Sequence, residues 1–147
     1  MEQLEKFFED LFTKKIAWQI PAKGKEFIVQ VAPWVVIIIA VLSIPAVLTI
    51  FGLGSIFGSL ALSLGVSMGF RYYLGIAILV IQIILMFMAF SGLKDRKIKG
   101  WRYIFYSDLV SGVYGLVSAY NVGGAIWSLL GTAIGLYILF QVKSYYK

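Results

Sequence analysis

The stretch Lys94–Asp108, KDRKIKGWRYIFYSD, decides how the chain is read. Five cations, Lys94, Arg96, Lys97, Lys99 and Arg102, fall within nine residues, and an apolar run follows at once with Asp108 inside it. Cations that border an apolar run mark the cytoplasmic end of a membrane span, because Lys and Arg are retained on that side during insertion. A carboxylate inside such a run is costly to bury, so it needs a partner, a proton or a function.

Composition points the same way. A chain of 147 residues is one domain by length. Hydrophobic residues make up 61% and charged residues 14%, against about 45–50% and about 25% in soluble domains. So little polar surface cannot cover a water-facing globule, and the surplus apolar surface calls for lipid. The net charge is +6, and basic proteins often bind nucleic acid. Here the cations flank apolar segments, so the expected partners are the bilayer and anionic head groups at Lys94–Arg102, with no nucleic acid. Cysteine and histidine are both absent. That removes disulfides, thiolate zinc sites, His-ligated haem and any Ser-His-Asp or Cys-His machinery. No phosphate-binding loop, metal cluster or paired-carboxylate site stands out, and Gly52-x-Gly54-x-x-x-Gly58 lacks the strand–helix context of a nucleotide motif. No enzyme, cofactor or metal is expected.

Upstream, residues 1–15 place Leu4, Phe7, Phe8, Leu11 and Phe12 on one helical face, with Glu2, Glu5, Lys6, Glu9 and Asp10 on the other. This pattern predicts an amphipathic helix lying in the membrane interface, not a secretory signal. Its acidic polar face also suits docking on protein, in particular on the basic loop. Residues 16–26 read as a connector broken by Pro21 and Gly24, with Trp18, Lys23 and Lys25 marking the near side of the membrane. The first span covers about 27–51, where Pro33 sits near the start and Pro45 is expected to kink or end the helix. Residues 52–70 hold five glycines and no charge before Arg71. They read as an outer loop with a short interfacial helix; an extension of the flanking spans and a re-entrant segment are the alternatives. The second span covers 71–92, with Arg71, Tyr72 and Tyr73 as outer anchors. The third covers 101–120, with Trp101 and Tyr103 as inner anchors and Tyr120 at the outer end. Asn121–Gly124 reads as a tight turn, and the fourth span covers 125–142.

Four spans place five cations of the N-terminal segment, five of the loop and two of the tail on one side, and only Arg71 on the other. The bias puts both termini in the cytoplasm of a cell, that is an inner or plasma, membrane. Asp108 then lies about 10 Å below the inner surface at about 1.5 Å per residue. Its expected partners are Arg102, Ser107, Ser111, Gln82 or a tyrosine hydroxyl. It reads as a structural polar node first and as an ion or proton site second. Ser107, Ser111 and Gly115 recur on the third span, and Gly124, Ser128 and Thr132 on the fourth beside Gly131 and Gly135. Small residues at this spacing let helices approach closely.

Ala32-Pro33-Trp34, Gly100-Trp101-Arg102 and the ending Leu139-Phe140-Gln141-Val142-Lys143-Ser144-Tyr145-Tyr146-Lys147 together resemble a group of small bacterial four-span membrane proteins without an assigned activity. The resemblance implies the fold and no chemistry. The chain does not resemble small multidrug transporters, whose first span carries a glutamate. The expectation is therefore an all-α membrane protein, an antiparallel four-helix transmembrane bundle behind an interfacial helix. It would serve as a structural, assembly or partner-binding scaffold, alone as a homo-oligomer or with another membrane protein. The alternative is a small ion or proton channel or transporter built on Asp108.

Overall fold

The computed structural model describes residues 2–14, 19–119 and 121–147. Trp18 and Tyr120, expected as interface anchors, lie outside the described residues, as does the side chain of Leu4. Every described element is helical. Helix α1 (Glu2–Glu9) continues into a π-helical turn, Asp10–Lys14. Four long helices follow: α2 (Ala22–Ser63), α3 (Val66–Lys94), α4 (Ile98–Ser118) and α5 (Val122–Val142), with a 3₁₀ turn at Lys143–Tyr145. Three segments are long and apolar enough to cross a membrane: Ala22–Gly54, Val66–Lys94 and Val122–Tyr145. Helix α4 is not among them. Lys99, Arg102 and Asp108 interrupt its apolar character, although its 21 residues reach about 32 Å.

Helix α2 overturns two expectations. It runs 42 residues through both Pro33 and Pro45 and ends 18 residues past the latter. The glycine-rich segment is therefore neither an outer loop nor a short interfacial helix. It extends the flanking helices into one long hairpin, closed at Gly65 with φ +125, where a side chain would be strained. A continuous helix is the conformation that satisfies every backbone group without water. Hydroxyls assist by bonding within their own helix: Ser43 Oγ donates to the Ile39 carbonyl and Thr49 Oγ1 to the Pro45 carbonyl, both at 2.8 Å. Of the five glycines, Gly65 turns the chain, Gly52 faces open space, and Gly58 and Gly69 serve close packing. A Cβ on Gly58 would stand 2.3 Å from the Tyr73 hydroxyl, and one on Gly69 2.3 Å from Leu62 Cδ2.

The helices pack in order as antiparallel neighbours, α2 on α3, α3 on α4, α4 on α5, while α2 and α5 meet sparsely. Between α3 and α4 the approach is backbone to backbone, with a Cβ on Gly100 falling 2.4 Å from the Gly92 carbonyl carbon. Between α4 and α5 the supposed Asn121–Gly124 turn is already helix: Asn121 caps α5 by accepting from the Gly124 N–H at 2.7 Å. Gly24, expected to break helix, lies in the first turn of α2.

The best-packed region lies at the end that carries the basic loop, here called the basic end. Trp101, Phe105, Leu136, Phe140, Val29 and Leu93 are buried there. Trp101 is fully buried, contrary to its reading as an interface anchor, and its indole N–H donates to the Leu139 carbonyl at 2.8 Å. A Trp at this depth is stable because its polar atom finds a partner. Tyr146 is buried in the same core. The far end, around the α2–α3 turn, exposes large apolar side chains throughout.

Candidate functional site

Two groups of polar residues are buried among these helices, one at the basic end and one partway along α4.

The first starts from α1. Phe8 and Phe12 turn toward α4 and α5, not outward: Phe8 meets Phe105 edge-on and Phe12 stacks on Phe140, each with centroids 6.1 Å apart. Phe7 remains exposed. The same face of α1 carries acids. Glu5, 6% exposed, lies 3.0 Å from Arg102 Nε and 3.9 Å from Lys143 Nζ. Glu9 accepts from Lys143 Nζ at 2.7 Å. That ammonium also sits 5.2 Å from the Trp101 ring centre. The spacing of four residues between Glu5 and Glu9 puts both on one helical face, so α1 presents acids and aromatics together to a basic, aromatic receiver. Docking on the basic 94–102 loop was the second reading of this helix, after an interfacial anchor, and Arg102 is the residue of that loop that pairs with it. Lys143 was not foreseen, since a cation near the end of a chain reads as a solvated interface anchor.

The tail closes the same end. The Lys147 N–H donates to the Arg96 carbonyl at 2.9 Å, and the Ile98 N–H donates to the Lys147 carbonyl at 2.8 Å. Arg96 pairs with Glu26 of α2, and Lys97 with Asp95 at 2.9 Å. The Lys97 ammonium holds the exposed Asp95 carboxyl below its usual range. Sequence-distant segments are thus joined where the cations gather.

The second group centres on Asp108. It does face the helix packing, but its partners are not those expected. Arg102 has turned to Glu5, and Ser111 accepts from the Gln82 amide across the α3–α4 contact. Ser107 is buried. Asp108 lies instead against α5, where a Cβ on Gly135 would fall 2.7 Å from its carboxylate, and its Oδ2 is buried without a hydrogen-bond partner among the described residues. Two further pairs continue this seam: Gly112 on Thr132 and Gly115 on Ser128, with a Cβ on Gly115 placed 1.8 Å from Ser128 Oγ. Gly115, Ser128 and Gly135 lie on this seam. Gly131 does not, since nothing lies within 4 Å of where its Cβ would be, and Gly124 faces only Asn121 and Ala119. Gly112 was missed, although it belongs to the same row as Asp108 and Gly115.

No three acidic side chains converge among the described residues in a way that would hold a metal ion. Two cavities beside the helices are apolar: one at the basic end between α2 and α5, the other toward the far end between α3 and α4. Asp108 lines neither. At the far end Arg71 Nη1 donates to the Ser118 carbonyl at 3.3 Å and, with Tyr72, borders a cavity of about 410 Å³. No protein-family model, curated protein or solved structure matches the chain.

Proposed function

We propose that this chain is a four-span membrane scaffold with both termini in the cytoplasm. Its N-terminal helix is strapped across the inner ends of α4 and α5. The crossing of α4 follows from its neighbours: if α3 and α5 cross, the helix that leads from Lys94 to Val122 crosses with them. Its polar groups are acceptable at that depth because they face α3 and α5. The observation that carries the scaffold reading is how these groups are used. Arg102, Lys143, Glu5, Glu9, Gln82 and Ser111 all bind within the chain. The faces left outward on α2 and α3 are apolar, including Leu42, Leu48 and Phe70. Such faces suit lipid and the packing of another membrane helix, from a second copy or another protein.

Because the chain contains no cysteine, topology can be mapped with single introduced cysteines and a membrane-impermeant maleimide. Residues near 24, 95 and 147 should label only from the cytoplasmic side and residue 121 only from the outside. Labelling of 24 and 147 from opposite sides would overturn the four-span reading. For the scaffold itself, in-membrane cross-linking should capture a homo-oligomer or a defined membrane partner, and a purely monomeric species would count against it.

The unpartnered Oδ2 of Asp108 supports the second reading, an ion or proton path. Liposome flux measured for the wild type and for Asp108→Asn separates the two. Flux that the substitution abolishes establishes transport. No flux in either, with Asp108→Asn altering only stability, removes it.

A further inference from the structure

Where α2 passes the end of α5, two cavities adjoin. The first is a polar cup of about 370 Å³ at the basic end, lined by Glu9, Lys25, Gln141, Lys143, Ser144 and Tyr146. The second is an apolar groove of about 350 Å³, lined by Phe27, Val31, Val35, Ile104, Ile138 and Val142. Tyr146 lines both, so cup and groove adjoin at that residue. Each is within the size range of small-molecule sites, about 300–1,000 Å³. The groove exists because α2 and α5 hardly touch. It opens outward between Phe27 and Val35, which are 65% and 44% exposed. Along α2 these two residues are about 12 Å apart at about 1.5 Å per residue.

The cup has binding capacity left over. Lys143 is committed to Glu9 and Glu5, but Lys25 forms no ion pair among the described residues. Gln141 is 4% exposed, and its amide takes no hydrogen bond from the described residues. It lines the cup beside the Lys25 ammonium, where a bound group can meet both. With Lys25 and Lys143 against Glu9 the cup is net cationic, and Ser144 adds a hydroxyl. An ammonium, an amide and a hydroxyl together suit a phosphate. An apolar slot running from that point along the helices suits an acyl chain.

From this juxtaposition we propose that the α2–α5 cleft is a binding site for one anionic phospholipid. Its phosphate sits in the cup against Lys25 and Gln141, and one acyl chain lies in the groove past Val31 and Val35. The inference rests on the membrane reading above, because it takes the open side of the groove to face lipid. Bound there, the lipid joins two helices that otherwise scarcely meet and completes the contact between the first and last spans.

Native mass spectrometry of the full chain, delipidated in detergent, tests this. Dioleoyl-phosphatidylglycerol should give at least fivefold more one-lipid adduct than dioleoyl-phosphatidylcholine. Lys25→Ala with Gln141→Leu should abolish that preference, and Val35→Trp, which fills the groove, should cut both adducts at least fivefold. Circular dichroism should match the wild type for each variant, and Gly131→Ala serves as a folded control. Equal adducts of the two lipids, or a preference that survives both variants, overturns the site. Equal uptake of inorganic phosphate or of dihexanoyl-phosphatidylglycerol also overturns it, because the groove then contributes nothing. Retention of the chain in alkali-washed membranes tests the membrane reading separately, so failure of one is distinguishable from failure of the other.

Discussion

At the basic end Trp101 and Phe105 are 0% and 1% exposed, whereas at the far end Leu48, Phe51, Leu64, Val66 and Phe70 are each more than half exposed. The basic end gathers residues from three distant parts of the chain: Phe8 and Phe12, Trp101 and Phe105, and Phe140 and Tyr146. Its contacts are directional, with ion pairs, an indole hydrogen bond and stacked rings. The far end is one hairpin whose helices approach through glycines set against Tyr72, Tyr73 and Leu62. Stability should therefore be polarised, with local opening cheap at the far end and close to global unfolding at the basic end. If the chain spans a membrane, lipid covers the far end's apolar faces, while the basic end is held by the protein itself.

The largest effect expected is from Gly100→Ala. The added Cβ would fall 2.4 Å from both the Gly92 carbonyl carbon and the Leu93 nitrogen. These are backbone atoms, which move only if α3 and α4 part. Overpacking costs about 1–3 kcal/mol and at times more, so a loss of at least about 2 kcal/mol is expected in detergent thermal melts. Gly131→Ala is the matched control, with no atom within 4 Å of the new Cβ. It should be neutral or stabilising by up to about 1 kcal/mol through helix propensity. Equal losses in the two variants would remove the distinction between packed and open glycines.

Glu5→Ala comes next. It leaves Arg102 without its acid at a buried site and Lys143 with Glu9 alone. Stripping one partner from a fully buried pair costs about 3–5 kcal/mol. Because the Arg102 side chain is 41% exposed, solvent screening reduces this to about 1–3 kcal/mol. Hydrogen exchange in residues 5–12 should rise at least tenfold while exchange in α3 stays unchanged. Unaltered exchange there would mean that the aromatic contacts alone hold α1.

Arg71→Ala probes the far end. It removes the hydrogen bond to the Ser118 carbonyl, worth about 0.5–1.5 kcal/mol. Exchange should increase around 116–119, and residues 98–105 should not respond. A response at both ends would show that the two regions are coupled after all.

Much of this division was readable from charge. Twelve of the thirteen cations fall in the N-terminal segment, the 94–102 loop and the tail, and the structure brings the loop, the tail and α1 together at one end. The α4–α5 seam was half legible. Small residues recur at Gly115, Ser128 and Gly135, but the sequence pattern Gly131-x-x-x-Gly135 does not reveal that Gly131 faces away. The 52–70 segment was not legible, because an apolar glycine-rich run suits a loop and a close-packed helix equally. Where the run is helical, Gly58 packs against Tyr72 and Tyr73 of the next helix, a contact that the 52–70 segment does not reveal by itself. Trp101 misled for a similar reason. Beside cations a Trp reads as an interface anchor, and its burial depends on the Leu139 carbonyl 38 residues away. The surroundings of Asp108 depend likewise on Gly135 arriving from the next helix.

The smallest expected effect tests how closed the basic end is. Burial pushes the Tyr146 hydroxyl above its ordinary 10.0, against the opposing pull of Arg96. A phenol whose folded pKa is raised holds its proton more tightly in the folded chain than in the unfolded one. Its contribution to stability is complete below pH 10 and is lost as pH rises from there through the folded value. Melting temperature should therefore fall above about pH 10, and Tyr146→Phe should flatten that limb while leaving the melt near pH 7 within about 1 kcal/mol. Other tyrosines and the lysines also titrate in this range, so the comparison is between the two proteins at each pH. Identical alkaline limbs would mean that water reaches the Tyr146 hydroxyl. The basic end would then be open at the cup, and its contrast with the far end would shrink to the aromatic core around Trp101.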